Sequence, residues 1–233
     1  MKTTLQPFQA LLDLFYPRLC PSCGRELAVI QEHLCVSCRI KLPLTDHHLY
    51  PENGFTERFW GRLPLQAGAA LVHFRKGGMV QRLIHELKYR GRKEIGLGLG
   101  RYLGDRLAQA IWFEPVEWVA PVPLHPIKLR KRGYNQAEWI ARGVAESLGK
   151  PLRTDVLYRP RFAETQTRKS RMERVLNTES AFLVRSAAEL QGCHLLLVDD
   201  VLTTGATLEA CALALQGEAQ VKISMATVAI ADL

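Results

Sequence analysis

Two adjacent carboxylates, Asp199 and Asp200, stand between an apolar run and a turn of small and hydroxyl residues in LLLVDDVLTTGAT, Leu195 to Thr207. Leu195 to Val198 carry the signal of a short buried strand, and Leu208 to Leu215 read as a helix. Strand, acid pair, Gly/Thr turn and helix form the plan of a phosphosugar site. Backbone N–H groups of Thr203, Thr204, Gly205, Ala206 and Thr207, with the helix N-terminus behind them, suit a phosphate. Gly205 lets the backbone approach an anion without a Cβ in the way. The threonine hydroxyls add donors, and the two carboxylates can accept from sugar hydroxyls.

A second chemistry lies near the N-terminus. Cys20, Cys23, Cys35 and Cys38 are spaced as two C-x-x-C pairs eleven residues apart. Four thiolates at that spacing suit a structural Zn²⁺, with no open coordination position for catalysis. A unit this small cannot bury enough core to fold alone, so the metal would supply folding free energy. The alternatives are disulfides, which the lack of a secretory signal disfavours, or a redox pair, which needs only one C-x-x-C. His33, His47 and His48 are expected as surface or packing histidines, with replacement of one cysteine ligand by a histidine as the alternative, and Cys193 and Cys211 as small buried hydrophobes.

The elements that must position these groups alternate between strand and helix. Strands are expected at Leu65 to Phe74, Trp118 to Leu124, Leu152 to Tyr158, Ala181 to Val184 and Val221 to Ile230. Helices are expected at Val80 to Tyr89, with Leu83, Ile84 and Leu87 inward, and at Leu97 to Ala110, with Leu99, Leu103, Leu107 and Ile111 as its stripe. A third covers Ala137 to Leu148. The order predicts an α/β fold with a parallel sheet and crossovers. Met1 to Pro17 reads as a short amphipathic helix packed on the rest. Pro43 to Gln66, with three prolines and Asn53-Gly54, reads as a linker or irregular connection. His125 to Gln136 reads as a basic loop. The expected organisation is residues 1–45 for the N-terminal helix and cysteine unit, 46–66 for the connection, and 67–233 for the α/β domain.

With 233 residues, 47% of them apolar and 23% charged, the chain has the composition of a soluble globular protein. No apolar run is long enough to span a bilayer, and the N-terminus lacks a signal-peptide core, so a cytoplasmic protein is expected. The net charge of +8 is uneven. Arg75 to Arg106 holds nine Lys/Arg against three acids, and His125 to Lys169 eleven against four. Leu176 onward reverses to two against seven. A basic middle beside an acidic motif suits a polyanionic ligand, and equally a nucleic acid; a solvated charged face is the plain alternative.

The 13-residue acid-pair segment resembles the PRPP-binding motif of type I phosphoribosyltransferases, with every defining position filled. Together with the four-Cys knuckle, PVPLHPIKLRKRGYNQA and KYRGRKE near Lys88, it resembles the ComF/GntX family, phosphoribosyltransferase-like proteins linked with DNA uptake or utilisation in bacteria. The resemblance implies a five-stranded parallel sheet with flanking helices and a hood, a small N-terminal zinc ribbon, and a ligand at the carboxyl ends of the strands. It implies that Asp199 and Asp200 hold the ribose 2- and 3-hydroxyls and that Thr203 to Thr207 cradle the 5-phosphate. Arg132, and with it Lys131, would face pyrophosphate. Thr165 to Arg174 would close over PRPP, and Mg²⁺ would bridge pyrophosphate and ribose oxygens. In a transferase, Asp199, Asp200 and Arg132 would form the catalytic set, acting electrostatically on the departing pyrophosphate. In purine-salvage relatives a third acid stands where this chain has Thr203, so hypoxanthine or guanine is disfavoured as acceptor.

Two functions follow. One is an enzyme: Mg²⁺-dependent transfer of a phosphoribosyl group to an unknown acceptor, in the setting of DNA uptake, natural transformation or DNA utilisation. The other is a non-catalytic adaptor on the same fold, engaging single-stranded DNA or a DNA-translocation ATPase. Phe74, Tyr89, Tyr102 and Tyr134 could stack bases in such a role, although packing on helix faces explains most of them. A PRPP-sensing regulator would need a DNA-reading element, and no helix-turn-helix pattern is present.

Overall fold

A computed structural model describes residues 17–28, 33–160, 182–185 and 187–232. The expected N-terminal helix and the Thr165–Arg174 segment lie outside these residues. In chain order the elements begin with a one-turn helix α1 (Val36–Ile40) and two 3-10 turns (His47–Leu49 and Thr56–Phe59). Then follow β1 (Leu65–Phe74), α2 (Met79–Tyr89), α3 (Lys93–Leu107), β2 (Trp118–Pro121), α4 (Pro126–Arg132) and α5 (Gln136–Leu148). Two-residue strands β3 (Leu157–Tyr158) and β4 (Leu183–Val184) precede α6 (Ala187–Leu190), β5 (His194–Leu202), α7 (Ala206–Glu218) and β6 (Lys222–Ala231).

The main sheet runs in the order β1-β6-β5-β2, and all three pairings are parallel. Both faces are buried, which is why β5 and β6 are near-continuous apolar runs rather than alternating ones. The period of two divides them between two cores. Leu196, Val198, Ala226 and Val228 face α2, α3 and α5. Leu195, Leu197, Ile223 and Met225 face α7 and the segment holding Phe55 and Phe59. This is the expected α/β class, a parallel sheet with flanking helices. The family-implied fifth strand is reduced to one parallel bridge, Val119 to Leu152. Leu152 to Tyr158 is therefore not one strand: Leu157 and Tyr158 turn away to pair antiparallel with β4.

The helix stripes follow the spacing of their apolar residues. α2 buries Val80, Leu83, Ile84 and Leu87. α3 buries Leu99, Leu103 and Leu107, but Ile111 lies beyond its end and is 67% exposed. The neighbouring stripe of α3, buried as well, is glycine: Gly96, Gly100 and Gly104. A Cβ on Gly100 would run into the Ile140 carbonyl of α5, and one on Gly143 of α5 into the Leu97 carbonyl of α3. The two helices meet backbone to backbone along this seam.

Residues 43–66 carry two 3-10 turns and pack into the fold rather than acting as a spacer. Phe55 and Phe59 are fully buried. Asn53 donates from Nδ2 to the Gly68 carbonyl at 3.0 Å, and its Oδ1 accepts from Phe55 N at 2.8 Å. β1 begins at Leu65, inside this segment.

Candidate functional site

All four parallel strands end on one edge, and there β5 carries the acid pair. The strand does not stop at Val198: it continues to Leu202, with Asp199 in register with Thr227 of β6. Thr203 and Thr204 turn the chain, and Gly205, at φ +84°, caps α7. That φ favours glycine, and a Cβ there would lie 2.9 Å from the Phe59 ring. Thr203, Thr204, Ala206 and Thr207 are exposed around a small pocket bounded by Asp199. Thr204 Oγ1 accepts from Ala206 N at 3.4 Å. The turn and first backbone N–H groups of α7 thus face outward at a helix N-terminus, the arrangement that attracts an anion.

The irregular segment holds this turn in place, a role not legible in the sequence. Arg58 donates to the Thr203 carbonyl and to the Ala231 carbonyl, each at 2.5 Å, tying the turn to the end of β6. Arg62 pairs with Glu209 in the first turn of α7.

The two acids are not equivalent. Asp200 is 5% exposed, and Lys88 Nζ lies 2.9 Å from Oδ1 and 2.8 Å from Oδ2. Asp199 is half-buried, and its Oδ1 accepts from Asp200 N at 2.8 Å. Burial, then the neighbouring Asp200 charge, pushes the Asp199 carboxyl up to about 7. Lys88 sits in the last turn of α2, where a cation suits the helix dipole.

The expected loop from His125 to Gln136 contains α4. His125 caps it, with Nδ1 accepting from Ile127 N at 3.2 Å, so this histidine is satisfied locally. The helical potential lies in Ile127 to Arg132 behind a Pro at N1, and Gly133 ends it at φ +80°. No α4 residue is buried, so the apolar periodicity that reveals a helix was missing. Arg132 bonds Gln136 Oε1 and lies over the Tyr89 ring, 5.3 Å from its centroid. It therefore reaches the same helix end as Lys88. Lys131 is exposed and is not brought to the acid pair by any such contact. Tyr134 is buried, with its hydroxyl on the Leu87 carbonyl, and Tyr102 lies under Arg39.

The cysteine unit assembles as the spacing predicts. Gly24 turns the first knuckle at φ +74°, with Gly24 N on the Cys20 carbonyl at 2.9 Å. Cys35 precedes α1, which carries Cys38. The four Sγ atoms lie within 4.8 Å of one another, Cys23 and Cys35 at 3.6 Å. Tetrahedral thiolates at about 2.3 Å from zinc would stand roughly 3.8 Å apart, so the donor set fits that ion. Burial raises the Cys20 thiol, but backbone N–H groups of Cys35, Cys23 and Ser22 outweigh it and bring it down to about 7. Burial pushes Cys38 up to about 12. His47 and His48 are buried packing histidines apart from this cluster. Cys211 is buried as expected; Cys193 is half-buried, with Sγ 3.4 Å from the Glu189 carbonyl.

Comparison with known proteins gives a consistent set. The chain is 30% identical over 194 residues to the DNA utilization protein YhgH of Escherichia coli, covering 82% of this chain and 74% of that one. It is 28% identical to Competence protein F of Haemophilus influenzae, covering 81% and 74%. Against the Salmonella typhimurium YhgH it is 33% identical over 129 residues, and the match spans 56% of that relative's length. No family model matches. Among solved structures, the glutamine PRPP amidotransferase of B. subtilis is similar at 20% identity over 60% of this chain and 30% of that one, with a TM-score of 0.41. No helix of the described residues is long and apolar enough to cross a membrane.

Proposed function

Because this chain belongs to the ComF/GntX family of competence and DNA-utilisation proteins, we propose that it binds PRPP or a related phosphosugar with Mg²⁺ at the carboxyl edge of its sheet. The observation that carries this reading is the acid pair on β5 followed by the left-handed Gly205 and the outward N-terminus of α7. In this reading Thr203, Thr204, Gly205, Ala206 and Thr207 hold the 5-phosphate through backbone N–H and hydroxyl donors. Asp199 and Asp200 accept from the ribose hydroxyls. Arg132 and Lys131 counter the pyrophosphate, Arg132 with a forked donor set held over Tyr89. Mg²⁺ would neutralise pyrophosphate oxygens while keeping several waters. As an enzyme, the protein would transfer the phosphoribosyl group to an acceptor, with Asp199, Asp200 and Arg132 acting on the charge that develops as pyrophosphate leaves. The cysteine unit, residues 1–45, would hold one structural zinc, and the protein would act in the cytoplasm.

Calorimetric titration with Mg²⁺-PRPP tests the site. Micromolar binding by the wild type, with a loss of at least about tenfold in Asp200→Ala, is expected. Unchanged affinity in a folded variant sinks the assignment.

A second reading, the DNA-handling adaptor, rests on the surface beside the site. α4 exposes Lys128, Arg130 and Lys131 with no acid among them. Tyr89, 64% exposed, lies between the His85 ring and Arg132. An aromatic among cations is the pattern of single-strand binders. No PRPP binding, with affinity for single-stranded DNA that falls steeply with salt, would favour this reading. A DNA-translocation ATPase as partner belongs to the same alternative.

A further inference from the structure

An acid pair at a phosphosugar site invites a divalent cation, yet in this chain the place beside Asp200 is taken. Lys88 Nζ lies within 2.9 Å of both Asp200 oxygens. The pair is shielded: the Asp200 side chain is 7% exposed and that of Lys88 23%. The ammonium is held there by its element. Lys88 follows Leu87, whose side chain is fully buried and whose carbonyl accepts from Tyr134. It precedes Tyr89, on which Arg132 rests. The end of α2 is pinned on both sides of the lysine. A Mg²⁺ bound to Asp200 needs its oxygens at about 2.1 Å and a near-octahedral shell, in the space Lys88 fills, with two cations then crowding one carboxylate. Asp199 compensates little, since it is half-buried and its Oδ1 is already engaged by Asp200 N at 2.8 Å.

We propose that Lys88 is the resident cation of the acid pair, standing where a divalent ion would otherwise bind Asp200, so that the ribose hydroxyls are held without a metal at the carboxylates. This rests on the phosphosugar reading for its ligand but not for its geometry. Any Mg²⁺ that accompanies PRPP then belongs to the pyrophosphate. The lysine neutralises Asp200 and holds it through a hydrogen bond to Oδ1, while Oδ2, buried and without a hydrogen-bond partner among the described residues, is left to accept from a sugar hydroxyl.

Two measurements on the full zinc-loaded chain test it. The first follows free Mn²⁺ by electron paramagnetic resonance in wild type, Asp200→Asn, Lys88→Met, Lys88→Gln and Lys88→Met/Asp200→Asn, with folding checked by circular dichroism. At least one single variant is expected to gain a Mn²⁺ site about tenfold tighter than any in the wild type, lost again in the double variant. No gain in either folded variant overturns the proposal. So does a wild-type Mn²⁺ site that Asp200→Asn removes. The second titrates ribose 5-phosphate, which has no pyrophosphate, with and without millimolar Mg²⁺ in chelator-free buffer. Wild-type affinity should change less than about twofold, while Lys88→Met should lose about tenfold without Mg²⁺ and regain it with the ion. Wild-type binding that requires Mg²⁺ overturns the proposal. If ribose 5-phosphate and PRPP both fail to bind, the phosphosugar reading fails, and the Mn²⁺ result still decides the role of Lys88.

Discussion

Gly205 is the residue at which backbone conformation and site chemistry coincide. It stands at φ +84°, and a Cβ would press on the Phe59 ring at 2.9 Å. Gly205→Val should therefore cost about 1–3 kcal/mol of stability and weaken phosphate binding together. Urea denaturation and phosphate titration check this, and a variant as stable as wild type refutes it. His47 sets a pH dependence. It is buried with Nδ1 3.4 Å from Ala70 N, and burial, reinforced by the nearby His73, depresses its pKa to about 4. The unfolded chain takes up this proton near pH 6.5 and the folded chain does not. The neutral-histidine stability is thus complete above pH 6.5 and declines as pH falls toward 4, by up to roughly 3 kcal/mol. His48 and His194 are lowered by burial in the same direction. The measurement is the difference between wild type and His47→Gln, which should narrow the fall in urea midpoint between pH 6.5 and 4. Equal slopes would remove His47 as a source.

The seam between α3 and α5 shows what an element-level reading of sequence misses. Leu99, Leu103 and Leu107 announced one face of α3 by their spacing, and that face is buried. Gly96, Gly100 and Gly104 share a four-residue spacing too, but glycine carries no hydropathy signal and reads as weakness in a helix. Only the partner's backbone gives them meaning. Gly143→Ala should destabilise by about 2–4 kcal/mol, because the Leu97 carbonyl and Arg101 N cannot yield to a Cβ without parting the helices. Gly217→Ala, in α7 with no atom within 4 Å of its Cβ position, should be neutral or gain up to about 1 kcal/mol. Chemical denaturation of the two variants distinguishes packing from propensity, and equal shifts would contradict the seam. The irregular segment carries the same lesson: prolines and Asn-Gly mark its turns, while the burial of Phe55 and Phe59 depends on strands far along the chain.

At the scale of the molecule, the cysteine unit and the sheet keep separate interiors. Cys20, Leu27, Cys35 and Cys38 cluster with one another, with Leu34 and Met79 at the joint. Arg39 over the Tyr102 ring and Arg92 on the Leu19 carbonyl complete the docking onto α3 and its start. Removal of the metal should therefore melt the cysteine unit and leave the sheet folded. Purified protein should carry one zinc per chain. Chelation should expose four reactive thiols while most of the far-ultraviolet circular dichroism survives, with the main transition lowered by about 1–2 kcal/mol of lost docking. Absence of zinc with paired thiols would overturn the metal assignment, and collapse of the whole signal would show that the two units fold as one.

The sequence alone determined what local pattern can carry. Contiguous apolar runs specified β1, β5 and β6, because strands buried on both faces need no partner to be recognised. The C-x-x-C spacing specified the four-thiol cluster, and the Asp-Asp and Thr-Thr-Gly order specified the turn at the head of α7. Tertiary structure decided what depends on residues distant in the chain. It decided that Lys88 faces Asp200, that Arg58 and Phe59 brace the turn, and that α4 is a surface helix without a buried face. It also reduced the outer strand to a bridge at Leu152. The Lys88 and Arg58 contacts join segments more than a hundred residues apart, the bridge at Leu152 lies 33 residues from its partner Val119, and α4 lacks hydropathic periodicity, so none of these leaves a trace in a window of neighbouring residues.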